Sequence, residues 1–242
     1  MKKLLSILLF LFTLSVSYGG APSLYPGVAE IHLKNGRGQG SFLMFNTGES
    51  TKKYKVTVRD VDNQGNTSVL SDHLKVFPRY VEIKPGENKK VRFLIRDFPE
   101  GDVDPGEQRA SISIEELDSV LEQKHKTMET ASGISTLIKY KYNINMAVYG
   151  YVGDLIPKAE VTLENTGENL LTGTIANKGN YSYPVSASFL DGNDRVIDTI
   201  TLPKLMEGAV NDIEVKLPEG STKVRITEGK SNALLYERDL NF

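Results

Sequence analysis

The chain has 242 residues, of which 29 are basic and 31 acidic, so its formal net charge is -2. This balance gives no sign of a nucleic-acid-binding surface, and a hydrophobic fraction of 39% is too low for a polytopic membrane protein. The absence of cysteine excludes disulfides, thiolate metal sites and cysteine nucleophiles. The length allows two domains of ordinary size.

The N-terminus has the charge and hydropathy order of a secretory signal. Lys2 and Lys3 precede an apolar run from Leu4 to Leu14, and small residues follow up to Gly19. The apolar run is shorter than the roughly 20 residues of a membrane-spanning helix. We therefore predict a signal peptide over residues 1–19, cleaved after Gly19, with an uncleaved N-terminal anchor as the alternative. No later stretch is long enough to cross a bilayer.

From residue 28 onward, short alternating apolar and polar segments are separated by turn residues. This pattern predicts β-strands, and no convincing amphipathic helix lies among them. A polar segment, Glu115–Gly133, interrupts the regularity before the last strand of this half. The predicted strands are Val28–Leu33, Gly40–Asn46, Tyr54–Val61, Leu74–Ile83, Lys89–Arg96, Arg109–Ile114 and Ile134–Tyr149.

A second group of strands follows a predicted domain boundary near Gly153. Its hairpin turns are indicated by Asp191–Asp194 and by Pro218–Gly220. We predict an all-β protein of two immunoglobulin-like β-sandwich domains, at residues 20–153 and 154–242. The strands of the second domain are Ala159–Leu163, Leu170–Asn177, Pro184–Leu190, Val196–Thr201, Val210–Leu217, Lys223–Thr227 and Ala233–Leu240.

Three segments between residues 26 and 150 have a recognisable order. In Phe77–Arg92, a proline precedes an alternating strand, a Pro-Gly turn and a strand that carries Val-Arg. Asp104–Arg109 contains Gly-Glu-x-Arg at a strand entry, and in Asn143–Tyr149 an aliphatic run closes on a tyrosine. In this order and spacing, residues 26 to 150 resemble the periplasmic pilus (fimbrial) assembly chaperones of the chaperone–usher type. The second half matches only in its strand pattern, so the chain resembles a divergent member.

This resemblance implies a periplasmic chaperone that stabilises an exported pilin-like or surface subunit by donating a β-strand, with an outer-membrane usher as a further partner. The donated strand must expose alternating apolar side chains and an unpaired backbone edge. The alternative from the residues alone is that this apolar face packs in the protein's own core, as in an exported scaffold or adhesion module without chaperone activity. The predicted client-binding residues are Ile138, Tyr140, Tyr142, Ile144, Met146 and Val148.

The resemblance also implies charged residues with specific roles. The family anchors the carboxylate of its client with a basic pair, but Glu30 and Met146 align with those two positions. Lys139, Lys141 and Arg37 are the candidate cations nearby. Arg92 and Glu107 fall where the family has a charged pair near the domain junction, although both are also consistent with ordinary strand-surface residues.

The sequence offers no pattern for catalysis or cofactor binding. His32, His73 and His125 lie far apart, without the spacing of metal ligands. No nucleophile elbow, phosphate-binding loop or dinucleotide fingerprint is present. We therefore expect a protein that is not an enzyme, with no metal or cofactor.

Overall fold

The computed structural model describes residues 21–63, 66–67, 69–117, 141–167 and 169–240. These residues form two compact units. The first contains residues 21–31, 37–97 and 109–149, and the second contains residues 32–36, 98–108 and 150–240. The predicted signal peptide and most of the predicted polar segment lie outside the described residues. The predicted domain boundary at residue 153 stays a prediction.

The strands up to Val152 build a β-sandwich, because alternating residues along them are apolar and face inward. One sheet has four strands in the order β1-β3-β9-β7, and the other has five in the order β2-β11-β10-β4-β8. The strands are β1 (Ser23–Tyr25), β2 (Val28–His32), β3 (Gly38–Phe45), β4 (Lys52–Arg59), β5 (Asp62–Asn63), β6 (Asn66–Thr67), β7 (Leu74–Phe77), β8 (Tyr80–Ile83), β9 (Asn88–Ile95), β10 (Gly106–Leu117) and β11 (Asn143–Val152). The short strands β5 and β6 pair with each other, and a four-residue helix, α1 (Leu70–His73), precedes β7.

The core of this sandwich comes from the inward-facing residues of both sheets. Phe42, Met44 and Ile95 of the four-stranded sheet are at most 1% exposed. Ile112 and Ile114 of the five-stranded sheet are fully buried. Packing alone holds the two sheets together, as expected of a chain without cysteine.

The remaining strands build a second sandwich with sheets in the orders β12-β13-β16 and β15-β14-β17-β18. Its core contains Leu171, Tyr183 and Phe189, each at most 2% exposed. The strands are β12 (Ala159–Asn165), β13 (Leu170–Asn177), β14 (Tyr183–Leu190), β15 (Val196–Leu205), β16 (Val210–Lys216), β17 (Lys223–Glu228) and β18 (Leu234–Asp239). The prediction of two β-sandwiches is confirmed. No helix among the described residues is long and apolar enough to cross a membrane.

Candidate functional site

The strand β11 has an asymmetric backbone environment. It lies between β10 and β2, but β2 has only five residues against ten in β11. Directly after β2, the Leu33 N–H donates to the Tyr151 carbonyl at 2.8 Å. The ends of the two strands are therefore side by side, and β2 can lie along β11 only if the strands run parallel. Because the two strands rise equally per residue, Val28 at the start of β2 lies beside about Ala147 of β11.

The first residues of β11 consequently have an open backbone edge. Within the described part of the chain, Asn143 to Met146 have β10 on one side and no paired strand on the other. The Tyr142 carbonyl accepts a hydrogen bond from the Glu116 N–H of β10 at 2.9 Å, whereas the Tyr151 carbonyl faces β2. Backbone groups alternate in direction along a strand, so those of Asn143 and Asn145 point to the open edge. This edge could accept another strand.

The structure divides the predicted client-binding residues into three groups. Met146 and Val148 are fully buried and pack in the sandwich's own core, so they leave the client-facing set. Tyr142 and Ile144, nearer the open end, are half-buried. Ile138 and Tyr140 lie outside the described residues.

The correction for Met146 and Val148 has a simple physical reason. Both side chains lie on the inward face of the five-stranded sheet and are 0% exposed, so the protein's own residues cover them. The alternation in the sequence predicts the face on which these side chains lie. It does not predict which sheet covers that face.

A polar cluster that the sequence analysis missed lies on the core face beside the start of β11. The Lys52 ammonium is 2.5 Å from a Glu116 carboxylate oxygen, and the side chains are 18% and 8% exposed. Tyr54 pairs with Glu116 across β4 and β10, and burial, together with the charge of Glu116 and the nearby Tyr142, raises the pKa of Tyr54 to about 12. The Tyr54 hydroxyl and the second Glu116 oxygen have no hydrogen-bond partner among the described residues. The sequence did contain a signal for this cluster, because Lys52 lies two residues before Tyr54 and therefore on the same face of the strand.

The candidate anchoring cations are only partly described. Arg37 and Lys141 are exposed, and Lys139 lies outside the described residues. Met146, aligned with one of the family's basic positions, faces the core. Glu30, aligned with the other, is exposed on β2. An anionic client terminus at Glu30 would meet a like charge, so we look for the anchor elsewhere.

Arg92 and Glu107 have different environments and lie in different units. Arg92 is exposed on β9, whereas Glu107 is 3% exposed. The Glu107 carboxylate accepts hydrogen bonds from the Ser182 N–H at 3.0 Å and from the Ser182 hydroxyl at 3.1 Å. Glu107 is therefore no strand-surface residue, and its pairing with Arg92 stays a prediction.

Asn180, which lies in the second unit with Glu107, forms hydrogen bonds to the segment that leads into β10. Asn180 donates through its amide to the carbonyls of Pro105 and Asp154, both at 2.9 Å. Its side-chain oxygen accepts from the Ile156 N–H at 2.8 Å, and its backbone carbonyl accepts from the Glu107 N–H at 2.8 Å. The Asn180 side chain thereby joins two backbone segments of the second unit, the one that leads into β10 and the one at residues 154–156.

Comparison with solved structures places this architecture among known folds. The crystal structure of the class 5 fimbrial chaperone CfaA aligns with a TM-score of 0.54 and 14% identity, covering 92% of this chain and all of CfaA. A chain of the chaperone–tip adhesin complex of CFA/I fimbriae biogenesis aligns with a TM-score of 0.50 and 16% identity, over 92% of this chain and 99% of its own. The chain has the fold of the fimbrial chaperones.

The YadV chaperone aligns over 90% of this chain and 99% of its own length, with a TM-score of 0.50 and 7% identity. No family model and no curated protein matches the sequence. The resemblance seen in Phe77–Arg92 and Asp104–Arg109 thus agrees with the fold.

Proposed function

We propose that the protein is a periplasmic chaperone that binds an exported fimbrial or surface subunit by β-strand addition along the open edge of β11. The observation that carries the proposal is this edge, at Asn143–Met146, in a chain with the fold of fimbrial chaperones. The fold alone is shared by many binding modules, so the site carries the functional argument.

Strand addition fits the chemistry of this edge. A subunit that lacks one strand of its own sandwich leaves backbone donors and acceptors without partners, which is costly in an apolar groove. The N–H and C=O groups of Asn143 and Asn145 can pair with such a strand. Tyr142 and Ile144 are only half-buried. Ile138 and Tyr140 continue their every-second-residue spacing in the sequence, so the proposal includes these four side chains as those that enter the groove of the subunit.

The charged residues near this strand complete the proposal. Lys139, Lys141 and Arg37 are the candidate partners for the carboxylate of the subunit, because a buried carboxylate without a cation is destabilising. Arg92 and Glu107 are the candidate charged pair near the junction. The complexes with tip adhesin and pilin subunits belong to the structural neighbours, and an outer-membrane usher is a further proposed partner of this chain.

Two further properties belong to the proposal. We assign the protein to the periplasm on the basis of its predicted signal peptide and of its likeness to the fimbrial chaperones. The function is binding rather than catalysis, and it uses no cofactor. The described residues contain no group of three or more His, Asp or Glu side chains placed to hold a metal ion.

The test is purification of the tagged protein from the cell envelope of its host, followed by mass spectrometry of what co-purifies. Ile144→Glu places a charge on the proposed client-facing side. Asn145→Glu adds the same charge one residue along, on the exposed opposite side, and is the matched control. Thermal melts identify any variant that fails to fold, and Tyr142→Glu then replaces Ile144→Glu.

The proposal predicts that an exported subunit co-purifies with the wild type and with Asn145→Glu, and that a folded Ile144→Glu loses it. Capture of the same subunit by all three proteins would place the binding surface elsewhere. If nothing exported co-purifies with the wild type, the chaperone function is wrong and the scaffold module replaces it.

A further inference from the structure

The outer face of the four-stranded sheet carries one sign of charge. The register of β1, β3, β9 and β7 places Lys75, Lys90 and Arg92 on this side, and all three are exposed. No outward position of these four strands is a carboxylate. None of the three cations has an ion pair with a described carboxylate. We call these three residues the cationic face.

Two aromatic rings flank the cationic face. Phe77, directly opposite Arg92 in the ladder, is 76% exposed, and Tyr25, at the other side of the sheet, is 72% exposed. Aromatic side chains and arginine are enriched at protein interfaces relative to the rest of the surface.

The outer face of the three-stranded sheet in the second unit has the opposite charge. Four carboxylates on this side are exposed, Glu160 and Glu164 of β12 and Asp212 and Glu214 of β16, with threonines of β13 between them. One exposed cation, Lys216, also points outward at the end of β16. Glu160 pairs with Lys178 at 3.4 Å, and the other three carboxylates have no ion pair among the described residues. We call these four residues the acidic face. Beside it, Val210 is 64% exposed.

The two faces match in spacing as well as in sign. Lys90 and Arg92 are two residues apart on β9, and Asp212 and Glu214 are two residues apart on β16, so each pair is separated by about 7 Å along its strand. An exposed aromatic ring accompanies the first pair, and an exposed valine accompanies the second. Without Lys2 and Lys3 of the predicted signal peptide, the net charge of -2 becomes -4, which is low enough to give little long-range repulsion between copies.

We propose that the protein associates with a second copy of itself, with the cationic face of one copy packed on the acidic face of another. This goes beyond the proposed chaperone function, because neither face includes the open edge of β11. The complement of the cationic face is present in the same chain, which favours a second copy over an unrelated acidic protein.

The size of the faces sets the strength of the contact. Three strands by seven residues cover about 14 Å by about 23 Å, or about 330 Å² on each partner. A stable interface buries about 800 Å² on each side, so the contact is weak and its population rises with protein concentration. Because it depends on exposed charges, it also weakens as salt is added.

The experiment is sedimentation velocity of the exported chain over a range of concentrations. The Debye length falls from about 30 Å at 0.01 M to about 8 Å at 0.15 M ionic strength, and we expect the association constant to fall at least about tenfold over this range. Lys75→Glu with Lys90→Glu reverses the charge of the cationic face. Glu164→Lys with Asp212→Lys and Glu214→Lys reverses the charge of the acidic face. Lys34→Glu with Lys84→Glu changes the net charge by the same amount as Lys75→Glu with Lys90→Glu, at exposed positions outside both faces.

Each reversed protein alone is expected to be monomeric where the wild type associates, since both of its faces then carry the same sign. Mixing the two reversed proteins is expected to restore association, because each then offers the complement of the other. The Lys34/Lys84 control should associate like the wild type.

A wild type that stays monomeric at 0.01 M ionic strength and millimolar protein would overturn the proposal, and another acidic protein would then be the candidate partner. Association that survives either reversal, or a mixture that stays monomeric, would overturn it as well. Thermal melts equal to that of the wild type establish that the variants fold.

Discussion

Lys52 and Glu116, 64 residues apart in the chain, form an ion pair of 2.5 Å on the core side of the five-stranded sheet. The pair lies where β4 begins and β10 ends, beside the start of β11. Ion pairs this far from solvent are sensitive to the loss of one partner, because the other charge is then left buried without compensation.

We predict that Lys52→Met lowers the free energy of unfolding by about 3 kcal/mol, because Glu116 loses its cation while staying buried. Urea unfolding measures this change. Lys53→Met is the matched control: Lys53 pairs with Glu82 at 3.2 Å, but these side chains are 50% and 54% exposed. Its loss should cost less than about 1 kcal/mol. Equal effects of the two substitutions would contradict the account.

Removing both charges tests the coupling directly. The double variant Lys52→Met with Glu116→Leu should recover most of the stability lost in Lys52→Met, because no uncompensated charge remains. If the loss in the double variant equals the sum of the losses in Lys52→Met and Glu116→Leu, the two residues act independently.

Three buried tyrosines predict a loss of stability in alkali. Burial raises the pKa of Tyr54, Tyr181 and Tyr183 from 10.0 to about 12. As pH rises above 10, the unfolded chain releases these protons while the folded chain retains them until about pH 12. Their contribution to stability is therefore complete below pH 10 and is lost as pH rises to about 12. Urea unfolding at a series of pH values measures this loss.

Tyr183→Phe should make the decrease in the free energy of unfolding between pH 10 and 12 shallower, because only two of the three tyrosine protons then contribute to it. This variant also loses the hydrogen bond that the Tyr183 hydroxyl donates to the Lys158 carbonyl at 2.8 Å. Its stability below pH 10 should therefore fall by about 1 kcal/mol. The exposed Tyr25→Phe is the control, and an unchanged pH dependence in Tyr183→Phe would contradict the prediction.

The two hydrogen bonds of the Ser182 hydroxyl predict that its removal lowers stability. Its hydroxyl donates to the buried Glu107 carboxylate and accepts from the Glu207 N–H at 3.0 Å. Ser182→Ala removes both interactions, so we expect the free energy of unfolding to fall by about 2 kcal/mol. Thr201→Ala, at an exposed position of β15, should change it by less than about 0.5 kcal/mol. A Ser182→Ala protein as stable as the wild type would show that water replaces the hydroxyl.

The strands were the part of the fold most accessible from sequence. Leu170–Asn177 has the same bounds in the prediction and in β13 because one-sided alternation ends there at turn residues. Leu74–Ile83 was predicted as one strand but forms β7 and β8, which pair with β9 and β4 in different sheets. Pro78 has no N–H for a ladder, so this division was readable in principle.

The site was less accessible from sequence. The alternation of Tyr142, Ile144, Met146 and Val148 placed them correctly on one face. How far the protein's own core covers that face depends on the sheet packed against it. The open edge of β11 depends on where β2 begins, which no residue of β11 encodes. The Lys52–Glu116 pair likewise forms only through the register of two distant strands.

The measurement that tests strand addition most directly is subunit capture by Asn145→Pro compared with Asn145→Ala. The Asn145 N–H points to the open edge, so proline removes a donor needed by an added strand and leaves the bonds to β10 intact. Alanine removes the side chain and keeps the donor. We predict that a folded Asn145→Pro captures at least about tenfold less subunit than Asn145→Ala, which should match the wild type. Equal capture by the two folded variants would contradict strand addition at this edge.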